Sequence, residues 1–303
     1  MRYFGNNIKL LVNNLVVSYT DHGSEQSPVI IFIHGFPLNK TMWDNQVNAL
    51  KQDYRLISYD IRGHGESDIG TDDFSIELFV TDLLHLMEEL KIEKASLCGL
   101  SMGGYIALLA IEKYPEHFEA LVLCDTNCIA DPPQVKQKRL DTIQQIKSFG
   151  VERYVNNSIE NLLAPQSFTT HKEAVSAVKE MIVNTTEQSL SKTLLALSQR
   201  KSTCSKLPEI TIPVHFIVGE EDKITPPEVS ELMHQKIKNS TMHIIPHAGH
   251  LSNLESPDEF NEQLKSFFAG VYKKPENLHT AGSTSAFSQI RQRLNMLLTF
   301  SSI

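Results

Sequence analysis

With 303 residues, 41% hydrophobic and 21% charged, the chain reads as an ordinary soluble globular protein with room for a full core, either one α/β domain carrying an insertion or two domains. A formal net charge of -8 without any basic run argues against a nucleic-acid or anionic-membrane partner, and the longest apolar runs are strand-sized, far short of a membrane span. The start, MRYFGNNIKLLVNN, shows no secretion signal, and Cys98, Cys124, Cys128 and Cys204 form neither a C-x-x-C pair nor a disulfide framework, so buried thiols in a reducing cytoplasm are expected.

Residues 8–12 and 15–19 alternate as an opening hairpin turning at Asn13-Asn14. Residues 29–33 are apolar on both faces, as a central parallel strand must be, and end in His34-Gly35-Phe36-Pro37. A short helix over 43–50 precedes a strand over 54–59, which ends in Asp60-Ile61-Arg62-Gly63-His64-Gly65-Glu66-Ser67. Helix 75–90 carries Phe79, Leu83, Leu86 and Leu90 along one stripe. A strand from Ala95 then runs straight into Gly99-Leu100-Ser101-Met102-Gly103, and a helical pattern follows as far as Pro115. That is the strand–turn–helix setting in which a G-x-S-x-G motif lifts a serine above a sheet. Such a turn is sparsely allowed, and Gly99, Gly103 and Gly104 remove side chains that would collide around it. After a strand over 120–124, the alternation of strands and helices implies a parallel sheet covered on both sides, with ligands at the carboxyl ends of its strands.

From Asn127 to about Lys206 helix-period patterns replace this alternation. Leu140, Ile143, Ile146 and Phe149 form one stripe closed by Gly150; Val151, Tyr154, Val155, Ile159 and Leu162 form a second closed by Pro165; helices over 172–183 and 187–199 follow. Inserted after Cys124-Asp125-Thr126, on the functional edge, this segment is expected to cap the site, with a purely stabilising bundle as the alternative. Strands over 214–218 and 241–245 run into Gly219-Glu220-Glu221-Asp222 and Pro246-His247-Ala248-Gly249-His250, and an amphipathic helix covers 257–268. Beyond Tyr272 the composition turns to Lys, Pro, Ser, Thr and Gly, with a further helical pattern over 286–298.

A serine hydroxyl needs a base within hydrogen-bond reach, and the base needs an orienting carboxylate. His250 is the expected base, because Gly249 gives its loop freedom to bend back to Ser101; His247 is the lesser candidate. Asp222 is the expected acid, with Glu220 and Glu221 as adjacent alternatives and Asp125 as the rival at another strand end. Backbone N–H groups of Met102 and Phe36 would bind a developing oxyanion, Pro37 having none to offer. Asp60 to Ser67 reads as a structural loop, with Arg62 on a substrate carboxylate as the functional alternative. Phe36, Leu140, Tyr154 and Leu162 are candidate substrate contacts, and no metal or organic cofactor is required.

Together, HGFP at 34–37, DIRGHGES at 60–67, GLSMGG at 99–104, GEEDKITPP at 219–227 and PHAGHLSNLESP at 246–257 resemble the α/β-hydrolase superfamily over about residues 10–270. The short HGFP loop, GLSMGG, LVLCDTNCIAD and AGHLSNLE are similar to 3-oxoadipate enol-lactonase-like esterases. The resemblance implies an α/β-hydrolase fold: a mostly parallel eight-stranded sheet flanked by helices, with core segments 1–126 and 207–271, a helical cap over 127–206, and a tail over 272–303 outside the pattern. It implies a nucleophile at Ser101, an acid at Asp222, a base at His250 and a hole at Phe36 and Met102, acting on a small ester or lactone. C–C bond hydrolysis, perhydrolysis, thioester hydrolysis and a slow-turnover ligand-binding receptor are the other activities compatible with these groups.

Overall fold

Eight strands and eleven helices, in a computed structural model that describes residues 5–273, follow the alternation closely. The strands are β1 Gly5–Val12, β2 Leu15–His22, β3 Val29–Ile33, β4 Arg55–Tyr59, β5 Ala95–Leu100, β6 Phe118–Cys124, β7 Val214–Gly219 and β8 Ser240–Ile245. They form one sheet in the order β1-β2-β4-β3-β5-β6-β7-β8, antiparallel at β1/β2 and β2/β4 and parallel elsewhere. In the hairpin, Val12 pairs with Leu15, and Asn13 and Asn14 take φ of 49° and 59°, the left-handed pair that matches strand twist.

The helices are α1 Asp44–Leu50, α2 Ile76–Glu89, α3 Met102–Lys113, α4 Pro133–Phe149, α5 Val151–Leu162, α6 Ser167–Thr170, α7 Lys172–Val183, α8 Glu187–Gln199, α9 Pro227–His234, α10 Ser252–Glu255 and α11 Pro257–Val271. Helix α3 is buried from Met102 to Ile111, because it follows β5 in the middle of the sheet and has protein on every side. Helices α4 to α8 all fall between β6 and β7, neighbouring strands, so the chain leaves and re-enters the sheet at adjacent points.

That closeness corrects the reading of the cysteines. Cys98 and Cys124 are buried thiols, but Cys128 and Cys204 form a disulfide across a sequence separation of 76. It staples the two roots of the inserted helices, where Thr203 N–H also donates to the Cys128 carbonyl at 2.9 Å. A separation so long carries no spacing signal, so only the adjacency of β6 and β7 brings the pair together.

In α4, Ile143 and Ile146 are buried, whereas Leu140 and Phe149 are 39% and 57% exposed, so the expected four-residue stripe is only half a core face. The helical pattern at 286–298 lies outside the described residues. Among those described, no helix is long and apolar enough to cross a membrane.

Asp60, fully buried, organises the loop after β4. It accepts from the backbone N–H of Lys40 at 2.8 Å, from Lys40 Nζ at 2.7 Å and from Glu66 N–H at 2.9 Å. Arg62 is equally buried and grips Asp82 through Nε and Nη2, at 2.5 and 2.7 Å, with Asp72 at 3.3 Å. Its guanidinium is thereby committed within the fold, as the structural reading expects.

At Gly103 a Cβ would run into the carbonyl of Ile33 in β3, and at Gly99 into the carbonyl of Gly103. Gly103→Ala is therefore expected to lower stability by about 1–3 kcal/mol, the usual cost of forcing atoms into a close-packed core. Urea unfolding measures this, and an unchanged midpoint would contradict the close approach.

Candidate active site

Ser101 sits between β5 and α3 at φ 52° and ψ −111°, a conformation that non-glycine residues avoid and that costs on the order of 1–3 kcal/mol. Its own backbone offsets this: its N–H donates to the Cys124 carbonyl at 2.9 Å, and its carbonyl accepts from Gly104 N–H at 2.9 Å and Thr126 Oγ1 at 2.7 Å. The result is a serine at the top of the sheet, at the N-terminus of α3, whose first N–H groups have no partner within the helix.

The loop after β3 lies against it. A Cβ on Gly35 would come 3.4 Å from the Cβ of Ser101. His34 fixes this loop: Ile61 N–H donates to its Nε2 at 3.0 Å, so the ring proton is on Nδ1 and donates to the Gly35 carbonyl at 2.9 Å. Burial pushes the His34 pKa down to about 4, which keeps the ring in this neutral, dual-role state. Phe36 follows, joined to Pro37 by a cis peptide bond.

Asp222 and His250, only 3% and 2% exposed, face one another from the loops after β7 and β8. His250 Nδ1 meets Asp222 Oδ2 at 2.8 Å. Thr225 Oγ1 also donates to Oδ2 at 2.7 Å, and Ile224 and Thr225 N–H groups donate to Oδ1 at 2.8 and 3.0 Å. Burial works to raise the Asp222 carboxyl, but the His250 charge and hydrogen bond, with the Thr225 donors, bring it down to about 2. Burial likewise works against protonated His250, and the Asp222 carboxylate outweighs it, holding the imidazole above its ordinary value.

Asp125 occupies the third corner, fully buried at φ 44°, and takes hydrogen bonds from Gly219 N–H at 2.8 Å and Ser252 Oγ at 2.5 Å. Burial first, and then the Asp222 charge, push its carboxyl well up. The two carboxyls are thus pushed in opposite directions: Asp222 is held low beside the imidazole, while Asp125 braces the strand ends of β6 and β7 and helix α10. His247, Glu220 and Glu221 lie outside this group, the first two exposed and Glu221 half-buried, with Glu220 accepting the His247 N–H at 3.1 Å.

Ser101, His250, Met102 and Phe36 border one cavity of about 520 Å³, within the range of small-molecule sites. Tyr154 and Leu162 line it as well; Leu140 does not. Cavity-facing residues of α4 include Val135, Arg139, Thr142 and Ile146, one helical stripe, and at about 100° per residue Leu140 falls on the other side. The α5 face carries Tyr154, Asn157, Ser158 and Asn161, a polar stripe that in sequence looks like an ordinary solvent face.

Two further groups shape the site without lining it. Glu255, 3% exposed, accepts from Gly249 N–H at 2.8 Å, Ala164 N–H at 2.7 Å and Ser167 Oγ at 2.6 Å, tying the segment before His250 to the α5–α6 junction. Gly249 itself is required for this approach, since a Cβ there would lie 2.6 Å from the Ala164 nitrogen. Its role is closeness rather than the freedom to bend expected from sequence. Among the described residues no group of three metal-ligating side chains converges.

Residues 28–257 match the family model for the alpha/beta hydrolase fold. The 3-oxoadipate enol-lactonase 2 of Acinetobacter baylyi is 26% identical over 257 residues, 85% of this chain and 94% of that protein. Among solved structures, a thermophilic esterase from Thermogutta terrifontis with malate bound superposes with a TM-score of 0.84 at 29% identity, over 89% of this chain and all of that one. The enol-lactonase from Burkholderia xenovorans LB400 gives a TM-score of 0.81 at 25% identity, over 86% of this chain and 100% of its own.

The balance at His250 makes a spectroscopic prediction. Its imidazole is expected to titrate above 6.5 by NMR and to shift downward in Asp222→Asn, where burial is left with less opposition. An unshifted resonance would place the raising influence elsewhere.

Proposed function

The chain belongs to the α/β-hydrolase family, and from that premise we propose that it is a serine hydrolase cleaving a small carboxylic ester or lactone through an acyl-enzyme on Ser101. The observation that carries this reading is the buried Asp222–His250 pair, whose ring borders the same cavity as Ser101. With Nδ1 engaged by Asp222, Nε2 is the nitrogen left to take the serine proton. Ser101 Oγ then attacks the carbonyl carbon. The tetrahedral oxyanion is held by the N–H groups of Met102 and Phe36, and His250 returns its proton to the leaving alkoxide. In the second half His250 deprotonates water, which attacks the acyl carbon and releases the acid and Ser101.

Helices of residues 127–206 act in this reading as a cap on the core formed by 1–126 and 207–271, since α4 and α5 supply the cavity wall opposite Ser101. The enol-lactonase and esterase relatives support ester or lactone chemistry over the other reactions open to the same groups. No organic cofactor or metal enters any of these steps.

Wild-type protein is expected to hydrolyse p-nitrophenyl acetate and butyrate, with Ser101→Ala and His250→Ala each lowering kcat by about a thousandfold or more. Variants that keep near-wild-type turnover would overturn the assignment. Because His250 works as a neutral base and its pKa is raised, kcat/KM is expected to rise with pH through an ionisation above 6.5. An acidic limb centred well below that value would contradict the base assignment.

A further inference from the structure

We infer that Tyr105 sets the substrate length that Ser101 accepts: its ring is a partition that bars a growing alkyl chain from a second cavity behind it. The inference rests on the hydrolase reading above and adds a specificity-determining residue to it. Tyr105 lies one helical turn after Ser101, its N–H reaching the Ser101 carbonyl at 3.2 Å, and helical side chains lean toward the N-terminus, so the ring lies back toward the nucleophile. On its far side is a cavity of about 200 Å³ against the two roots of the inserted helices. Among the described residues, Tyr105 alone borders both this cavity and the catalytic one. The apolar groups on either side of the ring, Met102 and Leu197 toward Ser101 and Ile76, Leu109 and Cys128 beyond, are buried members of one hydrophobic cluster. Glu112, Lys113 and Lys201 are exposed and form the outer rim of the second cavity. An alkyl chain that passed the ring would therefore find apolar walls and gain from burial there.

The ring is clamped in place. Arg200 stacks on it with the guanidinium carbon 4.3 Å from the ring centroid, and Asn127 Nδ2 donates to its hydroxyl at 3.4 Å. Arg200 is itself fixed, donating to Asp131 at 2.5 Å and to the carbonyls of Leu197 and Ile129 at 3.0 and 2.9 Å. Asn127 and Arg200 come from the two roots that the Cys128–Cys204 disulfide joins, so both jaws of the clamp are anchored together. The catalytic cavity is mixed in character, with the polar α5 stripe and Arg139 beside apolar Phe36, Ile146 and Leu162, so its lining alone selects no chain length. A clamped ring one turn from the nucleophile does.

The test grows one arm of the ester at a time: p-nitrophenyl butyrate and octanoate lengthen the acyl arm, and butyl and octyl phenylacetate lengthen the alcohol arm, with acid release followed by titration. In the series whose growing arm meets Tyr105, wild-type kcat/KM for the octyl member should fall about tenfold or more below that for the butyl member, as a closed pocket rejects added methylenes. Tyr105→Ala should raise that octyl-to-butyl ratio at least about tenfold, Tyr105→Leu less, and Tyr105→Phe, which keeps the ring, should leave it within about twofold. Leu109→Trp, placed in the Tyr105→Ala background to refill the second cavity, should reverse the gain. Thermal melting identifies the variants that fold, and Tyr105→Leu carries the test where the alanine variant does not. No wild-type fall in either series, a ratio untouched in folded Tyr105→Ala and Tyr105→Leu, an equal gain in Tyr105→Phe, or a gain that survives Leu109→Trp would overturn the inference while leaving the hydrolase reading standing. Wild-type protein that cleaves none of the four esters would instead overturn the hydrolase reading, and this one with it.

Discussion

The hydrogen bond between His250 and Asp222 is the contact on which the rest of the site depends. Its two residues come from different loops, and only the parallel pairing of β7 with β8, register Gly219 to Ile245, delivers those loops side by side. Burial alone would drive both groups neutral, the carboxyl by gaining a proton and the imidazole by losing one. Their mutual attraction, with the Thr225 donors, reverses both tendencies. Asp125 supplies the contrast. It lies beside the same pair, but among the described residues its hydrogen-bond donors are Gly219 N–H and Ser252 Oγ, and burial with the Asp222 charge prevails. Environment alone pushes the two carboxyls in opposite directions, since the two side chains are identical.

Around that contact the fold stores and balances strain. Ser101 is held in an unfavourable conformation by bonds to β6 and Thr126, and the neighbouring loop is held by His34, whose two ring nitrogens bridge Ile61 and Gly35. Asp60, with Lys40 and Glu66, fixes the loop after β4. Glu255 performs the corresponding task across the insertion, joining the His250 loop to Ala164 and Ser167. None of these groups needs to touch a substrate. Their hydrogen bonds hold the loops at the strand ends in place around Ser101 and His250.

Much of the architecture was legible because period and punctuation agree. The apolar run at 29–33, the elbow at 99–103 and the helices over 172–183 and 187–199 lie in the structure where the patterns put them. Two kinds of feature were not legible. Polar stripes such as Tyr154, Asn157, Ser158 and Asn161 have the spacing of a solvent face, and only the tertiary position of α5 places them along the cavity. Leu140 illustrates the converse, an apolar residue at helical spacing that faces outward. Contacts between distant segments, such as the Cys128–Cys204 disulfide and the Glu255 bridge, leave no periodic trace, and the helices over Ser167–Thr170 and Ser252–Glu255 are too short to show one.

The central claim is that Ser101 is a nucleophile primed by His250 and Asp222. The most direct measurement is to treat the purified protein with a fluorophosphonate and locate the adduct by peptide mass spectrometry. The account predicts a single phosphonylated residue, Ser101, formed rapidly in the wild type, abolished in Ser101→Ala and strongly slowed in His250→Ala. An adduct on another residue, or equal labelling of the His250→Ala variant, would contradict it.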